Sequence, residues 1–271
     1  MLLSLIPTPT ISKLEIGPLT IHLYALCIIA GVAIAIWLGD KRFRKVDTGL
    51  EHVVADVAVI SVPLGVIGGR LYHVVSSPEN YFGTNGDPLD ALKIWQGGLG
   101  IWGAISLGTL GAWFGYKLQE KKLGRTLPNF RYFLDALAPG ILFAQGIGRF
   151  GNWFNGELFG RPLNTWWALE IPVNLRPLGF SEFKTFHPTF LYEALWTVFV
   201  AVLLLTFAQN YQPGTVFALY VGAYSFGRFF IESIRIDQAH LIGGIRINQW
   251  LALFLFLGSI VALRKFSKPI R

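Results

Sequence analysis

The chain has 271 residues, 53% hydrophobic and only 14% charged, with a mean hydropathy of +0.49 and a net charge of +7. Soluble domains carry about 25% charged residues, so this composition excludes an ordinary water-soluble enzyme and points to an all-α polytopic membrane protein. The positive charge then reads as topology and lipid contact, not as nucleic-acid binding.

In chain order, Met1 to Gly17 has no basic leader and no small-residue cleavage site, and Pro7 and Pro9 interrupt it. It reads as a retained peripheral segment and not as a signal peptide. Seven apolar stretches then follow, each about long enough for a bilayer core that takes roughly 20 helical residues. They are Ile21–Gly39, Val53–Val75, Trp95–Tyr116, Tyr132–Gly148, Thr189–Ala208, Gly214–Ile231 and Asn248–Leu263. Cys27, the only cysteine, lies in the first. An intramolecular disulfide is impossible, and a small packing residue is its plain reading.

Basic residues orient the spans. Lys41, Arg42, Arg44 and Lys45 follow the first span. Lys117, Lys121, Lys122, Arg125 and Arg131 follow the third, and Arg264, Lys265, Lys268 and Arg271 follow the seventh. Thirteen of the 23 lysines and arginines thus fall on one side. The other side holds Lys13, Lys93, Arg161, Arg176, Lys184, Arg235 and Arg246, thinly spread. The positive-inside rule puts the N-terminus outside and the C-terminus in the cytoplasm. The outside connection Phe150–His187, rich in Trp, Pro and Asn, predicts a small extracytoplasmic cap inserted in one membrane domain of residues 1–271, with Leu169–Val173 as a possible strand. Ser76–Ile94 is a second outside excursion. No internal repeat of the transporter kind is visible.

Between the fourth span and the cap lies Gly148-Arg149-Phe150-Gly151-Asn152-Trp153-Phe154-Asn155-Gly156-Glu157-Leu158-Phe159-Gly160. Four glycines in thirteen residues argue against a continuous helix. An arginine, amides and a carboxylate at a membrane boundary usually face protein or a water-filled cavity. Gly69-Arg70 and Gly227-Arg228 repeat the Gly-Arg step, and on this topology all three arginines lie toward the outer ends of spans. One such arginine would snorkel to the headgroups; three suggest a shared anion. Tyr224, Arg228, Glu232 and Arg235 are spaced to line one helical face. His22 and Tyr24 open the first span. His187-Pro188-Thr189, followed by Tyr192 and Glu193, opens the fifth. The pattern predicts a polar chamber at the outer leaflet with a positive wall, and a phospholipid headgroup is the anion available at that depth. Gly97-Gly98-Leu99-Gly100 is either a phosphate cradle or a close helix contact. There is no P-loop, no H-E-x-x-H and no Cys/His metal spacing, so neither metal nor cofactor is expected.

The thirteen-residue stretch resembles the signature of the prolipoprotein diacylglyceryl transferases, bacterial enzymes of the cytoplasmic membrane with seven spans and an outside N-terminus. The resemblance extends to Tyr24, Gly68-Gly69-Arg70, Trp95-Gln96-Gly97-Gly98, His187-Pro188-Thr189 with Leu191-Tyr192-Glu193, and Gly227-Arg228 through Glu232 to Arg235-Ile236-Asp237. It implies transfer of the diacylglyceryl group of phosphatidylglycerol to the lipobox cysteine of a prolipoprotein signal peptide, giving a thioether and glycerol 1-phosphate. The family's essential arginine and asparagine fall on Arg149 and Asn152, its glutamate and last glycine on Glu157 and Gly160, and its sixth-span pair on Arg228 and Glu232. Where many members have a histidine after the Gly-Gly, this chain has Trp102. The general base therefore stays open among His187, Glu157 and Glu232, or is unnecessary if arginines ionise the thiol. Arg149 and Arg228 are expected on the phosphate with Arg70 or Arg235 in support, and Tyr24, Gly98, Gly160 and Tyr224 are expected around the substrate. A transporter or flippase for an anionic solute or lipid is the competing class, using the same arginines without bond breaking. A structural scaffold would leave the buried charges without a purpose.

Overall fold

Apolar stretches of about 20 residues form helices in a bilayer because only intrahelical bonds satisfy every backbone polar group there. The computed structural model describes residues 6–17, 19–83, 86–207 and 211–266, the side chains of Leu19 and Gln96 excepted. Met1–Leu5 of the N-terminal segment, Ala208 at the end of the fifth stretch, and Lys268 and Arg271 of the third basic cluster lie outside them. Short strands β1 (Ile6–Pro7), β2 (Lys13–Ile16) and β3 (Leu19–His22) precede helix α1 (Leu23–Phe43). Then come α2 (Val53–Ser76), the short α3 (Glu79–Phe82), two 3-10 turns at Pro88–Leu92 and Ile94–Gln96, α4 (Ile101–Leu123) and α5 (Phe130–Asn155). Strand β4 (Leu169–Glu170), a 3-10 turn at Val173–Leu175 and β5 (Thr185–Phe186) lead to α6 (Thr189–Phe207) and α7 (Thr215–Ile234). Strands β6 (Leu241–Ile242) and β7 (Ile245–Arg246) precede α8 (Ile247–Phe266).

Seven helices of nineteen or more residues thus stand among the described residues, one in each expected stretch. Four of them, α1, α2, α6 and α8, are long and apolar enough to cross a membrane by length and composition. Two boundaries depart from expectation. Helix α4 starts at Ile101, not near Trp95, because Gly97 and Gly98 adopt positive φ of 88° and 73°. Helix α5 does not stop at Gly148 but runs on to Asn155, so the expected cap gives up its first residues to the helix. Gly151 is there for close approach, since a Cβ on it would run into the Tyr24 ring of α1, whereas a Cβ on Gly148 would only touch Ile28, at 3.5 Å. The break comes at Gly156, with φ +61°.

The chain divides into two compact units, Met1–Gly39 with Leu134–Arg271 and Asp40–Phe133. In the smaller, α2 packs on α4 along a seam of small residues. Gly68 and Gly103 face each other so closely that a Cβ on either would overlap the other's carbonyl, and Ser61 donates to the Gly108 carbonyl at 2.8 Å. Lipid tails are as apolar as leucine, so such close packing, not burial from water, joins helices in a membrane. At the end of this unit that carries the basic residues, Phe43, Tyr116, Phe130 and Phe133 form an aromatic cluster, and Tyr116 donates to the Pro128 carbonyl at 2.6 Å.

In the larger unit α1 meets α5 through Gly31 against Ala144 and Ala35 against Gly140. Helices α5, α6 and α7 share a core of Ala138, Leu142, Val200, Ala201, Leu204 and Val216. Asp135 of α5 accepts from the backbone N–H of Gly214 and of Phe217, both at 2.7 Å. It thereby serves the unpaired donors that begin α7. In the cap, β4 pairs in parallel with β1 and antiparallel with β5. Phe159, Leu169, Ile171, Phe186 and Phe190 fill the space beneath. The strand expected over Leu169–Val173 is therefore present but only two residues long.

Candidate active site

The last turns of α5, the first turn of α6, the last turns of α7 and the hairpin β6–β7 converge within the larger unit. Arg149 and Asn152, three apart on α5, share a face. Arg149 Nη1 donates to Asn152 Oδ1 at 3.3 Å, and Asn152 Nδ2 donates to Glu157 Oε1 at 2.8 Å. Asn155 Nδ2 adds a second donor to that oxygen at 3.2 Å. Arg149 also pairs with Glu193 on α6, at 2.6 Å. The other Glu193 oxygen takes Arg228 of α7 at 2.9 Å, and Tyr224 donates to Glu193 at 3.1 Å. One carboxylate thus bridges two arginines.

Arg228 continues to Glu232, one turn on, at 2.7 Å. Glu232 is fully buried and also meets Arg235 at 3.4 Å, Arg246 at 2.9 Å and the Asn248 amide at 3.2 Å. Arg235 lies one residue past the end of α7 yet keeps the expected face. Asp237 holds it with two hydrogen bonds of 2.7 and 2.8 Å and takes Arg246 at 2.9 Å. Burial works against the Asp237 charge, but the hydrogen bonds and charge of Arg235, then the charge of Arg246, hold its carboxyl below the usual carboxylate range. In total four guanidiniums meet three carboxylates in this network. The excess of one positive charge equals the charge of a phosphodiester. A buried network of this kind holds only when every member is partnered.

A small cavity opens beside the network. Arg149, Asn152, Glu193 and Arg235 form its polar side, and Leu158, Thr189 and Phe190 the rest. Arg149 is the most accessible of the four arginines, with 21% of its side chain exposed against 16%, 6% and 11% for Arg228, Arg235 and Arg246. Leu158 stands at φ +58°, a conformation that bulky residues rarely adopt, with its carbonyl held by the Thr189 hydroxyl. Gly160 is squeezed between two chains: its N–H donates to the His187 carbonyl at 3.0 Å, and a Cβ there would come within 2.8 Å of the His187 Cβ and 3.0 Å of the Ile234 carbonyl.

His187 flanks the cavity and is not part of its lining. Its Nδ1 lies 3.1 Å from the Tyr192 hydroxyl, which also accepts from the Trp167 indole at 3.1 Å. Burial, then the charge of Arg161, pushes its pKa down, so it is neutral at neutral pH. Tyr24 rests on Gly151, next to Asn152. Arg70 and Gly98 belong to the smaller unit. The Arg70 guanidinium donates to the carbonyls of Ala91, Gly97, Gly98, Asp90 and Lys93 and stacks 5.1 Å from the Tyr81 ring. Arginine has five N–H donors, and these five carbonyls occupy them. Arg70 thus organises the 3-10 turns, and a phosphate contact would have to displace those bonds. The Gly97–Gly98 run lies in this clamped loop, and a Cβ on Gly98 would strike the His73 ring.

Sequence reading put Glu193 in the polar chamber and Asp237 in the family resemblance without a specific task for either, and gave Arg246 and Asn248 no part in the site. A carboxylate inside the apolar fifth span was the signal for Glu193. Gly243-Gly244 was the signal for Arg246, because two glycines at φ +60° and +78° turn the chain back and return Arg246 to Glu232. No group of three or more His, Cys, Asp or Glu able to hold a metal occurs among the described residues.

The family model described as prolipoprotein diacylglyceryl transferase matches residues 12–264. The phosphatidylglycerol–prolipoprotein diacylglyceryl transferase 2 of Streptomyces coelicolor is 49% identical over 263 residues, covering 96% of this chain and 80% of the relative. The corresponding transferase of Cutibacterium acnes is 47% identical over 269 residues, 97% of this chain and 88% of the relative. That of Bifidobacterium adolescentis is 39% identical over 276 residues, 97% and 80% respectively. With a matched family model over nearly its full length and these relatives, the chain belongs to the prolipoprotein diacylglyceryl transferase family.

Proposed function

We infer that the protein is a bacterial membrane transferase that moves the diacylglyceryl group of phosphatidylglycerol to a prolipoprotein, the first step of lipoprotein maturation. The names of its relatives support both substrates. The observation that carries the reading to particular residues is the pair Arg149 and Arg228, bridged by Glu193 beside a small polar cavity. Displacement at an alkyl carbon with a phosphate leaving group needs positive charge on the departing oxygens and an in-line thiolate.

In this mechanism Arg149 and Arg228 hold the phosphate and Arg235 supports them. Asn152 and Glu157 orient the glycerol headgroup by hydrogen bonds. Glu232 orients Arg228, and Tyr224 steadies Glu193. Tyr24 and Gly160 shape the surroundings. The acceptor is the lipobox cysteine of a signal peptide. Its thiol has a pKa of about 8.5 when free, and nearby guanidiniums favour the thiolate. The products are a thioether and glycerol 1-phosphate. In this proposal the chemistry lies at the outer leaflet of the cytoplasmic membrane, with seven spans, an outside N-terminus and a cytoplasmic C-terminus. Support comes from the seven long helices and from thirteen basic residues on one side.

The test is product identification. Purified protein in detergent, phosphatidylglycerol and a lipobox peptide should give a peptide heavier by one diacylglyceryl group and an equal amount of glycerol 1-phosphate, and a Cys→Ser peptide should give neither. Phosphatidylglycerol that is bound or moved but never cleaved would overturn the reading.

A further inference from the structure

Glu193 has a place that no anion-binding role requires. A site built to hold a phosphate needs arginines, yet here a carboxylate already sits between the two most accessible of them, at 2.6 Å from Arg149 and 2.9 Å from Arg228. Its side chain is only 4% exposed, and it lines the cavity with Arg149 and Asn152. The charged and titratable groups facing it are Arg149 from α5, Tyr224 and Arg228 from α7, and Arg235 just beyond α7.

Resting on the transfer reaction above, we propose that Glu193 is the general base, taking the proton of the acceptor thiol while Arg149 and Arg228 pass from its carboxylate to the leaving phosphate. The charges balance. Before reaction the site holds one carboxylate and one phosphodiester, each carrying a single negative charge. The S–H proton moves to Glu193, and the sulfur forms a bond to the glyceryl carbon that carried the phosphate. The C–O bond breaks and its electron pair stays on the phosphate, leaving a neutral carboxylic acid and a phosphomonoester dianion. The sum is unchanged, but negative charge has migrated from Glu193 to the leaving group. The two guanidiniums that neutralised the first then neutralise the second. On release, the proton leaves with the phosphate or to water, and Glu193 re-pairs with both arginines.

The other carboxylates suit this role less. Glu232 is held by three arginines and an amide, and Glu157 is reached from Arg149 only through Asn152.

Two measurements test this. Glu193→Gln should lower the transfer rate to a cysteine peptide at least a hundredfold at pH 7. A selenocysteine peptide, whose selenol is already ionised at that pH, should restore the rate to within about tenfold of wild type. Equal losses with both peptides, or retained turnover with cysteine, would overturn the proposal. The second needs no turnover. Glycerol 1-phosphate is bound at pH 8, where it is a dianion, and calorimetry in buffers of different ionisation enthalpy counts protons. Wild-type protein should take up close to one proton per site. No uptake in wild type, or uptake that persists in a folded Glu193→Gln protein, would contradict it. A wild-type protein that makes no thioether at all would instead remove the transfer reaction on which the proposal rests.

Discussion

At the scale of single residues, tight geometry gives the sharpest expectations. Gly160 has no room for a methyl group, so Gly160→Ala should push the chain at 160–161 away from His187 and Ile234. The cost is that of overpacking, about 1–3 kcal/mol, and a fall in transfer should accompany the lower melting temperature. Asp237 and His187 carry the pH dependence. The folded-state pKa of each lies below its ordinary value, so on acidification the unfolded chain takes the proton first. Each contributes stability above its ordinary range that is lost as pH falls through its lowered folded value. Melting temperature should therefore fall from about pH 6.5 downward, and His187→Gln should remove the upper part of that fall. A melting temperature that rises on acidification would contradict both assignments. At this scale the sequence was informative where spacing fixes geometry. Arg149 with Asn152, and Tyr224, Arg228 and Glu232, stand on the shared faces that their spacing predicts. It was uninformative about partners far apart in the chain, such as Glu193 of α6 on Arg149 of α5.

At the scale of elements, the hairpin β6–β7 earns its place by returning Arg246 to Glu232 and Asp237. Arg246→Met should leave Glu232 with Arg228 and Arg235. Breaking a fully buried pair costs about 3–5 kcal/mol, and the two remaining partners put this change toward or below the lower limit. Thermal unfolding would measure it, with a roughly tenfold loss of transfer as Arg235 and Asp237 lose their common anchor. Arg246→Lys should not rescue, because one ammonium cannot reproduce a planar fork of donors. Helix positions were legible from apolar length alone. Helix ends were not: Gly148 and Gly151 read as breakers, but both lie inside α5, where Gly151 admits the Tyr24 ring. Composition does not distinguish a glycine that frees the backbone from one that lets a neighbour approach.

At the scale of the whole molecule, the basic residues and the apolar stretches together specify a topology that labelling can check. Cys27 is the only cysteine, so Cys27→Ala gives a background for single-cysteine variants. An impermeant maleimide should label Glu182→Cys, in the cap, on intact spheroplasts. It should label Lys121→Cys, at the end of α4, only after permeabilisation. The reverse pattern would invert the topology and put the arginine network at the cytoplasmic leaflet. Overall class and the number of long helices were legible because the bilayer imposes them. The ion network was only partly legible because it depends on how α5, α6, α7 and the hairpin meet.

The proposed reaction requires that Arg149 and Arg228, joined through Glu193, hold the phosphate that leaves. The most direct measurement compares wild type with Arg149→Ala in the purified system, following peptide mass and released glycerol 1-phosphate, with thermal unfolding run in parallel. The account predicts a melting temperature within a few degrees of wild type and transfer reduced at least a thousandfold. A folded Arg149→Ala protein that still transfers at more than a tenth of the wild-type rate would contradict it.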